Sequence, residues 1–281
     1  MSKRQKEKGE RGKRKEKRGR DERGEKRAKK QVIRGDLLTR RNTVLESLRA
    51  NRRKFKTLYV QDGMAEKQLK SILYAARQAS VNIETIDKNR LGNLVGAGDH
   101  QGVALEVADY PYCDVPDILD RANALDEKPL ILVMDLVQGT YNVGALLRTA
   151  EIVGVHGVII QDRRAPEITP VIVQHSQGAA EHLLIAKVTN LVKALEELKA
   201  ADVWVAGLDF GEDANMLGNI DLDRPLAIIV GHEGEGMRRL VRETCDIILE
   251  IPQRGKVESL NAAVAGSVAL YSAWQARGFK A

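Results

Sequence analysis

The chain has 281 residues, of which 43% are apolar, with 45 Lys+Arg against 39 Asp+Glu, the composition of a globular protein with ample material for a core. Nothing reads as a membrane span of about 18 apolar residues or as a secretory leader, and two distant cysteines, Cys113 and Cys245, suit neither a disulfide framework nor a zinc site; a cytoplasmic protein with no metal and no membrane partner is expected. The net charge of +6 belongs to one end, because residues 1–30 hold 16 basic and six acidic side chains while the remainder carries −4.

Residues 1–34 are low-complexity Lys/Arg/Glu/Gly. They have too little apolar surface to offset the entropy of ordering, so a disordered basic tail is expected. Two readings stay open for it: a solvated tail without a specific role, or an arm that binds RNA phosphates with steep salt dependence.

Residues 35–108 read as a small α/β domain. Arg41–Arg49 has amphipathic helical spacing, Thr57–Val60 is a short strand, Glu66–Gln78 a helix, Val81–Ile86 a strand, Lys88–Val95 a helix and Gly102–Val107 a strand. Residues 109–128, with Pro111 and Pro116, read as a linker containing a short helix.

Residues 129–281 read as a larger α/β domain. Strands are predicted at Leu130–Asp135, Gly157–Gln161, Leu183–Lys187, Val203–Leu208, Leu226–Val230 and Ile247–Ile251. Helices are predicted at Val143–Val153, Pro170–Ala180, Leu191–Ala201, Arg238–Thr244 and Leu260–Arg277. Alternation of this kind builds a mainly parallel sheet covered on both faces, with ligands beyond the carboxyl ends of the strands. Three segments answer that description: Asp135–Ala150, Ile229–Met237 and Ile251–Asn261.

None of them is a P-loop, a dinucleotide fingerprint, a zinc-protease HExxH or a nucleophile elbow. Singly, each has a bland explanation. Gly231, Gly234 and Gly236 suit a tight turn, Asn142 and Ser259 suit helix N-caps, and Arg148 and Glu233 suit surface ion pairs.

Their order and spacing together are specific. The chain resembles the SpoU family of RNA ribose 2′-O-methyltransferases, in the SPOUT superfamily. The resemblance covers residues 36–277 and rests on Asn142, Gly144 and Arg148-Thr149-Ala150, on Gly231–Gly236, on Ile251–Asn261, and on Ser176–Ala179. Arg41-Asn42, the Val44, Leu45 and Leu48 spacing, and His100–Val103 are similar to the substrate-binding domain of the 23S rRNA guanosine-2′-O-methyltransferase branch. Two departures bear on loop geometry and target choice: Gly139-Thr140-Tyr141 replaces the usual Asp-Pro, and Gln253, Ala262 and Ala263 stand in the third motif.

The resemblance implies a trefoil-knotted domain behind a small ribosomal-protein-like RNA-binding domain, S-adenosylmethionine as methyl donor, a homodimer, and RNA as substrate. The best guess is a guanosine in the peptidyl-transferase region of 23S rRNA. It implies Leu208, Gly231, Ile251 and Leu260 as cofactor-binding residues. It also implies Arg148, Asn142, Glu233, Ser259 and Asn261 as catalytic residues, with Arg148 either a base towards the 2′-hydroxyl or a cation on the target phosphate and developing alkoxide. A tRNA ribose methyltransferase, a resistance methyltransferase acting elsewhere on rRNA and a non-catalytic rRNA-binding assembly factor remain alternatives at this point.

Overall fold

The computed structural model describes residues 36–96, 98–163, 165–257 and 259–280; the basic tail expected at 1–34 lies outside them. The described chain begins with a four-stranded sheet. Its elements run β1 (Asp36–Thr39), α1 (Arg41–Ala50), β2 (Phe55–Gln61), α2 (Glu66–Gln78), β3 (Asn82–Ile86), α3 (Lys88–Val95) and β4 (Val103–Val107). The strand order is β1-β4-β2-β3, with β4 antiparallel to both neighbours and β2 parallel to β3. Leu38, Leu58, Leu105, Val44, Leu69 and Ile72 fill the core between this sheet and its helices.

The segment read as a linker holds α4 (Val115–Ala124). The Asp114 N–H donates to the Asp117 carboxylate at 2.9 Å, and Pro116 stands in the first turn. Ile118 is fully buried where a Cβ on Gly157 would meet it at 2.4 Å, and Cys113 bridges in parallel to Ala186. This stretch is thus built into the larger unit.

The remaining elements are β5 (Leu130–Met134), α5 (Thr140–Ile152), β6 (Gly157–Gln161), α6 (Pro170–His175), a 3-10 turn (Ala179–His182), β7 (Ile185–Val188), α7 (Leu191–Ala200), β8 (Trp204–Leu208), β9 (Ala214–Met216), β10 (Leu226–Val230), α8 (Arg239–Thr244), β11 (Ile247–Glu250) and α9 (Ala262–Ala276). The strands form one sheet in the order β7-β6-β5-β10-β8-β11-β9, with every pair parallel. On β5, Leu130, Leu132 and Met134 face one core and Ile131 and Val133 the other, which is why the strand is apolar throughout. The helix predicted at 170–180 is interrupted, because Gln177 and Gly178 take φ of 56° and 92°. Since β10, β8 and β11 are adjacent and parallel, the loops that leave them emerge at one end of the sheet.

His156 shows how the sheet is anchored. Its Nδ1 accepts the Leu130 N–H at 3.0 Å, so the ring proton lies on Nε2 and donates to Glu127 at 3.0 Å. Burial pushes the imidazole pKa down. Protonation would break the Leu130 bond, so the stability this residue contributes is present above the ordinary histidine pKa of about 6.5 and is lost as pH falls through the lower folded value. Thermal melts should show a steeper loss between pH 7 and pH 5 in the wild type than in His156→Gln, which starts lower at pH 7.

Candidate active site

The loop 231–236 is a closed turn. The His232 N–H donates to Gly236 O at 2.9 Å and the Gly236 N–H to His232 O at 3.0 Å. Gly236 takes φ of 67°, and His232 Nδ1 accepts the Gly234 and Glu235 N–H groups at 3.2 and 3.3 Å. A Cβ on Gly231 would lie 2.5 Å from the Gly236 carbonyl carbon and 2.6 Å from the Met237 nitrogen, so only glycine allows the two arms to approach. The tight-turn reading of these glycines is therefore correct as geometry, and the turn walls a cavity.

That cavity, of about 400 Å³, lies between the ends of β8, β10 and β11 and the start of α9. Leu208, Gly231, Ile251 and Leu260, the four residues expected to bind a cofactor, all line it, as do Glu233 and Ser259. Its apolar wall comes from Val230, Leu249, Ala262 and Ala265, and its mouth carries Asp209, Phe210 and Glu235.

At its edge three side chains from three segments close a ring. Asn142 Nδ2 donates to Glu233 Oε2 at 3.1 Å; Asn261 Nδ2 donates to Asn142 Oδ1 at 3.1 Å and also to Glu233 Oε1. Asn261 Oδ1 accepts the Ala263 and Val264 N–H groups at 2.9 and 3.3 Å. Asn261 is therefore the N-cap of α9, where Ser259 had been the candidate. Asn142 is likewise not a cap: it is the third residue of α5, whose N-cap is Gly139. Glu233 pairs with two amides and, among the described residues, with no cation.

Arg148 stands apart from this ring. It is exposed on α5 and lines no part of the cavity. Six residues beyond Asn142 it has advanced about 9 Å along the helix and faces a different side. The structure thus joins eight of the nine expected site residues and leaves out the ninth.

Two clamps went unread in the sequence. Asp135, fully buried at the end of β5, accepts from the Arg238 N–H at 2.9 Å and from Arg238 Nε at 2.8 Å, with Nη2 at 2.7 Å. This ties the exit of the glycine loop to the sheet. Arg242 reaches Asp213 at 2.6 and 3.0 Å and Asp209 at 3.3 Å, fixing the loop after β8; the guanidinium holds the Asp213 carboxyl below its usual range. Asp135 opened the first motif segment and could have been singled out as a buried acid in need of a cation. Nothing local marks Arg242.

Among the described residues no cluster of His, Cys, Asp and Glu could hold a metal ion. Cys113 and Cys245 are free, and burial pushes their thiols up to about 11 and about 12, away from nucleophilic use at neutral pH.

Comparison with known proteins matches residues 129–271 to the SpoU rRNA methylase family and residues 41–113 to the RNA 2′-O ribose methyltransferase substrate-binding family. The chain belongs to the SpoU family. A Bacillus subtilis (strain 168) protein, YacO, named for the TrmH family of tRNA/rRNA methyltransferases, is 36% identical over 86% of this chain and 96% of its own length. A Staphylococcus haemolyticus protein named for the same family is 37% identical over 78% of this chain and 88% of its own length. Among solved structures, the SpoU methyltransferase AviRb of Streptomyces viridochromogenes, in complex with AdoMet, superposes with a TM-score of 0.72 at 21% identity, covering 90% of this chain and 95% of its own. An AdoMet-bound rRNA methyltransferase of Sinorhizobium meliloti gives 0.72 at 20% identity over 86% and 87%. The family membership makes the chain an RNA methyltransferase of the SpoU/TrmH type, and the structural likeness supports the two-part α/β fold. Among the described residues no helix is long and apolar enough to cross a membrane.

The glycine loop gives a first test of the site. Gly231→Ala forces its two arms apart by overpacking worth about 1–3 kcal/mol. S-adenosylmethionine affinity, read by calorimetry, should fall about tenfold or more while the protein remains folded. Unchanged affinity would detach the loop from cofactor binding.

Proposed function

We propose that the protein transfers a methyl group from S-adenosylmethionine to a ribose 2′-oxygen of RNA, the target being a guanosine in the peptidyl-transferase region of 23S rRNA, and that it does so as a cytoplasmic homodimer. The observation that carries this reading is the convergence of three motif loops on one cavity, locked by the Asn142–Glu233–Asn261 ring. The residues present fit the cofactor. The cavity lies within the usual volume of small-molecule sites, its floor is apolar, and Asp209, Glu233 and Glu235 offer negative charge to a cationic ligand. When bound, S-adenosylmethionine supplies an electrophilic methyl group.

The chain's own residues do the rest. Backbone groups of Leu208, Gly231, Ile251 and Leu260 would hold the adenosine, with the apolar Val230, Leu249 and Ala262 beside it. The ring holds α5, the glycine loop and the start of α9 in register and would orient acceptor against donor, an effect worth several kcal/mol of barrier. Ser259, two residues before the cap, lines the cavity near the positive end of the α9 dipole, which favours an RNA phosphate there. Arg148 presents a permanent cation to the target phosphate and the developing alkoxide.

Because Arg148 does not line the cavity of its own chain, we assign it to the cavity of the partner subunit. Exposed Val264, Val268 and Tyr271, at i, i+4 and i+7 on α9, offer an apolar stripe for that dimer beside α5. The knotted threading of the chain around the cavity belongs to the same proposal; crowding of the loops after β8, β10 and β11 at one site is what supports it.

The test is transfer of radiolabelled methyl from S-adenosylmethionine to total RNA from cells lacking the gene, followed by size fractionation and nucleoside analysis. Label in large-subunit rRNA as 2′-O-methylguanosine is expected. Label in tRNA would move the target to that pool, and an unlabelled RNA pool, with ribosomal particles also unlabelled, would overturn catalysis.

A further inference from the structure

The larger half of the protein does not attract RNA by net charge. Residues 111–281 carry 24 acidic against 16 basic side chains, whereas residues 36–110 carry 12 basic against nine acidic. Several cations of the small half are already engaged. Arg49 pairs with Glu46 at 2.6 Å, Arg53 with Glu181 at 2.8 Å and Arg90 with Glu84 at 3.0 Å. On α2 the pattern differs. Leu69, Ile72 and Ala76 are buried, and the opposite face presents Lys67, Lys70, Tyr74 and Arg77 at successive spacings of three, four and three residues. All four are exposed, and among the described residues none of the three cations has an ion pair.

Tyr74 is 66% exposed and makes no ring contact with another aromatic among the described residues. It overlooks a groove of about 830 Å³ between α1 and α2, floored by Leu48 and Leu73 and bordered by Lys70, Arg77 and Arg49. Glu66, at the far end, is the acid that also lines it. An unpacked tyrosine ring flanked by unpaired cations on one helix face has the chemistry of a stacking platform with phosphate contacts on both sides. A ring that stacks needs a base whose face is free, which a duplex does not offer.

We propose that the α1–α2 groove is a subsite for a single-stranded stretch of RNA, with a base stacked on Tyr74 and phosphates held by Lys67, Lys70 and Arg77. This rests on the proposed RNA substrate and adds to it a surface on the small half, away from the methyl-transfer cavity's own lining residues.

The test uses the full-length chain, a fluorescent 20-mer oligouridine and a blunt RNA duplex of equal length. Tyr74→Ala should weaken oligouridine binding about tenfold, with Tyr74→Phe within twofold of wild type, because stacking does not use the hydroxyl. Lys70→Gln and Arg77→Gln should each flatten the log–log salt slope by about 0.7. Duplex affinity should be unchanged in Tyr74→Ala, and ultraviolet irradiation should crosslink uridine to Tyr74. Wild-type oligouridine affinity in Tyr74→Ala, or an equal loss for duplex and single strand, overturns the subsite; melting curves matching wild type exclude misfolding as a cause. Methyl transfer to total RNA is measured alongside. Absence of label with tyrosine-dependent oligouridine binding counts against the methyl-transfer reading alone. Equal labelling by wild type and Tyr74→Ala, with unchanged oligouridine affinity, counts against the subsite alone.

Discussion

Arg148→Ala is expected to lower methyl transfer by roughly 10²- to 10³-fold, the usual cost of removing one group that stabilises charge developing in a transition state, with S-adenosylmethionine affinity within about twofold of wild type. The separation follows from position. Arg148 is exposed on α5 and outside the cavity lining, so its loss removes no cofactor contact and, as a surface change, little stability. The trans assignment makes a sharper statement. Arg148→Ala and Glu233→Ala should each be nearly inactive, but a refolded mixture of the two should regain activity. In the mixed dimer one cavity keeps its own Glu233 and receives Arg148 from the other subunit, while the second cavity lacks both. If Arg148 serves the cavity of its own chain, every cavity in the mixture is defective and the mixture stays inactive. Near-wild-type turnover of the single Arg148→Ala variant would remove the residue from the reaction altogether.

What the sequence revealed follows the range over which each interaction acts. The helices over 66–78 and 88–95 and the strands over 157–161 and 226–230 fall where periodicity put them, because each is set by its own residues' spacing. The strands Asp36–Thr39 and Ala214–Met216 were not read: four and three residues at a sheet edge have no period to detect, and they exist only through pairing with β4 and β11. The site divides in the same way. The motif residues Asn142, Glu233 and Asn261 could be picked out one by one, yet their ring spans 119 residues of sequence and no local feature says that one amide nitrogen serves both partners. Ser259 was read as the cap of α9 by composition; the cap fell instead to Asn261, the residue immediately before the first helical turn, whose carboxamide oxygen reaches two N–H groups. Arg148 was legible as a motif residue, while its distance from the cavity depended on helix phase relative to the sheet.

Arg53→Met should destabilise the protein by about 3–5 kcal/mol, the cost of leaving one member of a buried ion pair alone. The Arg53 side chain is 0% exposed and that of Glu181 1%, with Nη2 and Oε1 at 2.8 Å. Arg53 also lies over the Tyr110 ring at 4.8 Å and donates to Ala108 O at 3.2 Å. The Tyr110 hydroxyl in turn donates to Ala180 O at 2.7 Å or Leu183 O at 2.9 Å, so the end of α1 and the 3-10 turn before β7 are knit by polar contacts that no apolar pattern announces. Among the described residues, Glu181 keeps only the Ser47 Oγ at 3.3 Å as a hydrogen-bond donor to its side chain once Arg53 is gone. Burial already pushes its carboxyl pKa up against the pull of Arg53, and losing the guanidinium pushes it further. An acid whose folded pKa exceeds the unfolded one contributes stability below the unfolded value, near 4.3, and loses it as pH rises through the folded value. The deficit of Arg53→Met, read from urea midpoints, should therefore be larger at pH 8 than at pH 5. Arg53→Met combined with Glu181→Leu should recover most of it, since an apolar pair of similar volume leaves no charge to desolvate. A double variant as unstable as the single one would mean that the loss comes from the Tyr110 and Ala108 contacts, and that the buried pair is not what holds the small sheet against the large one.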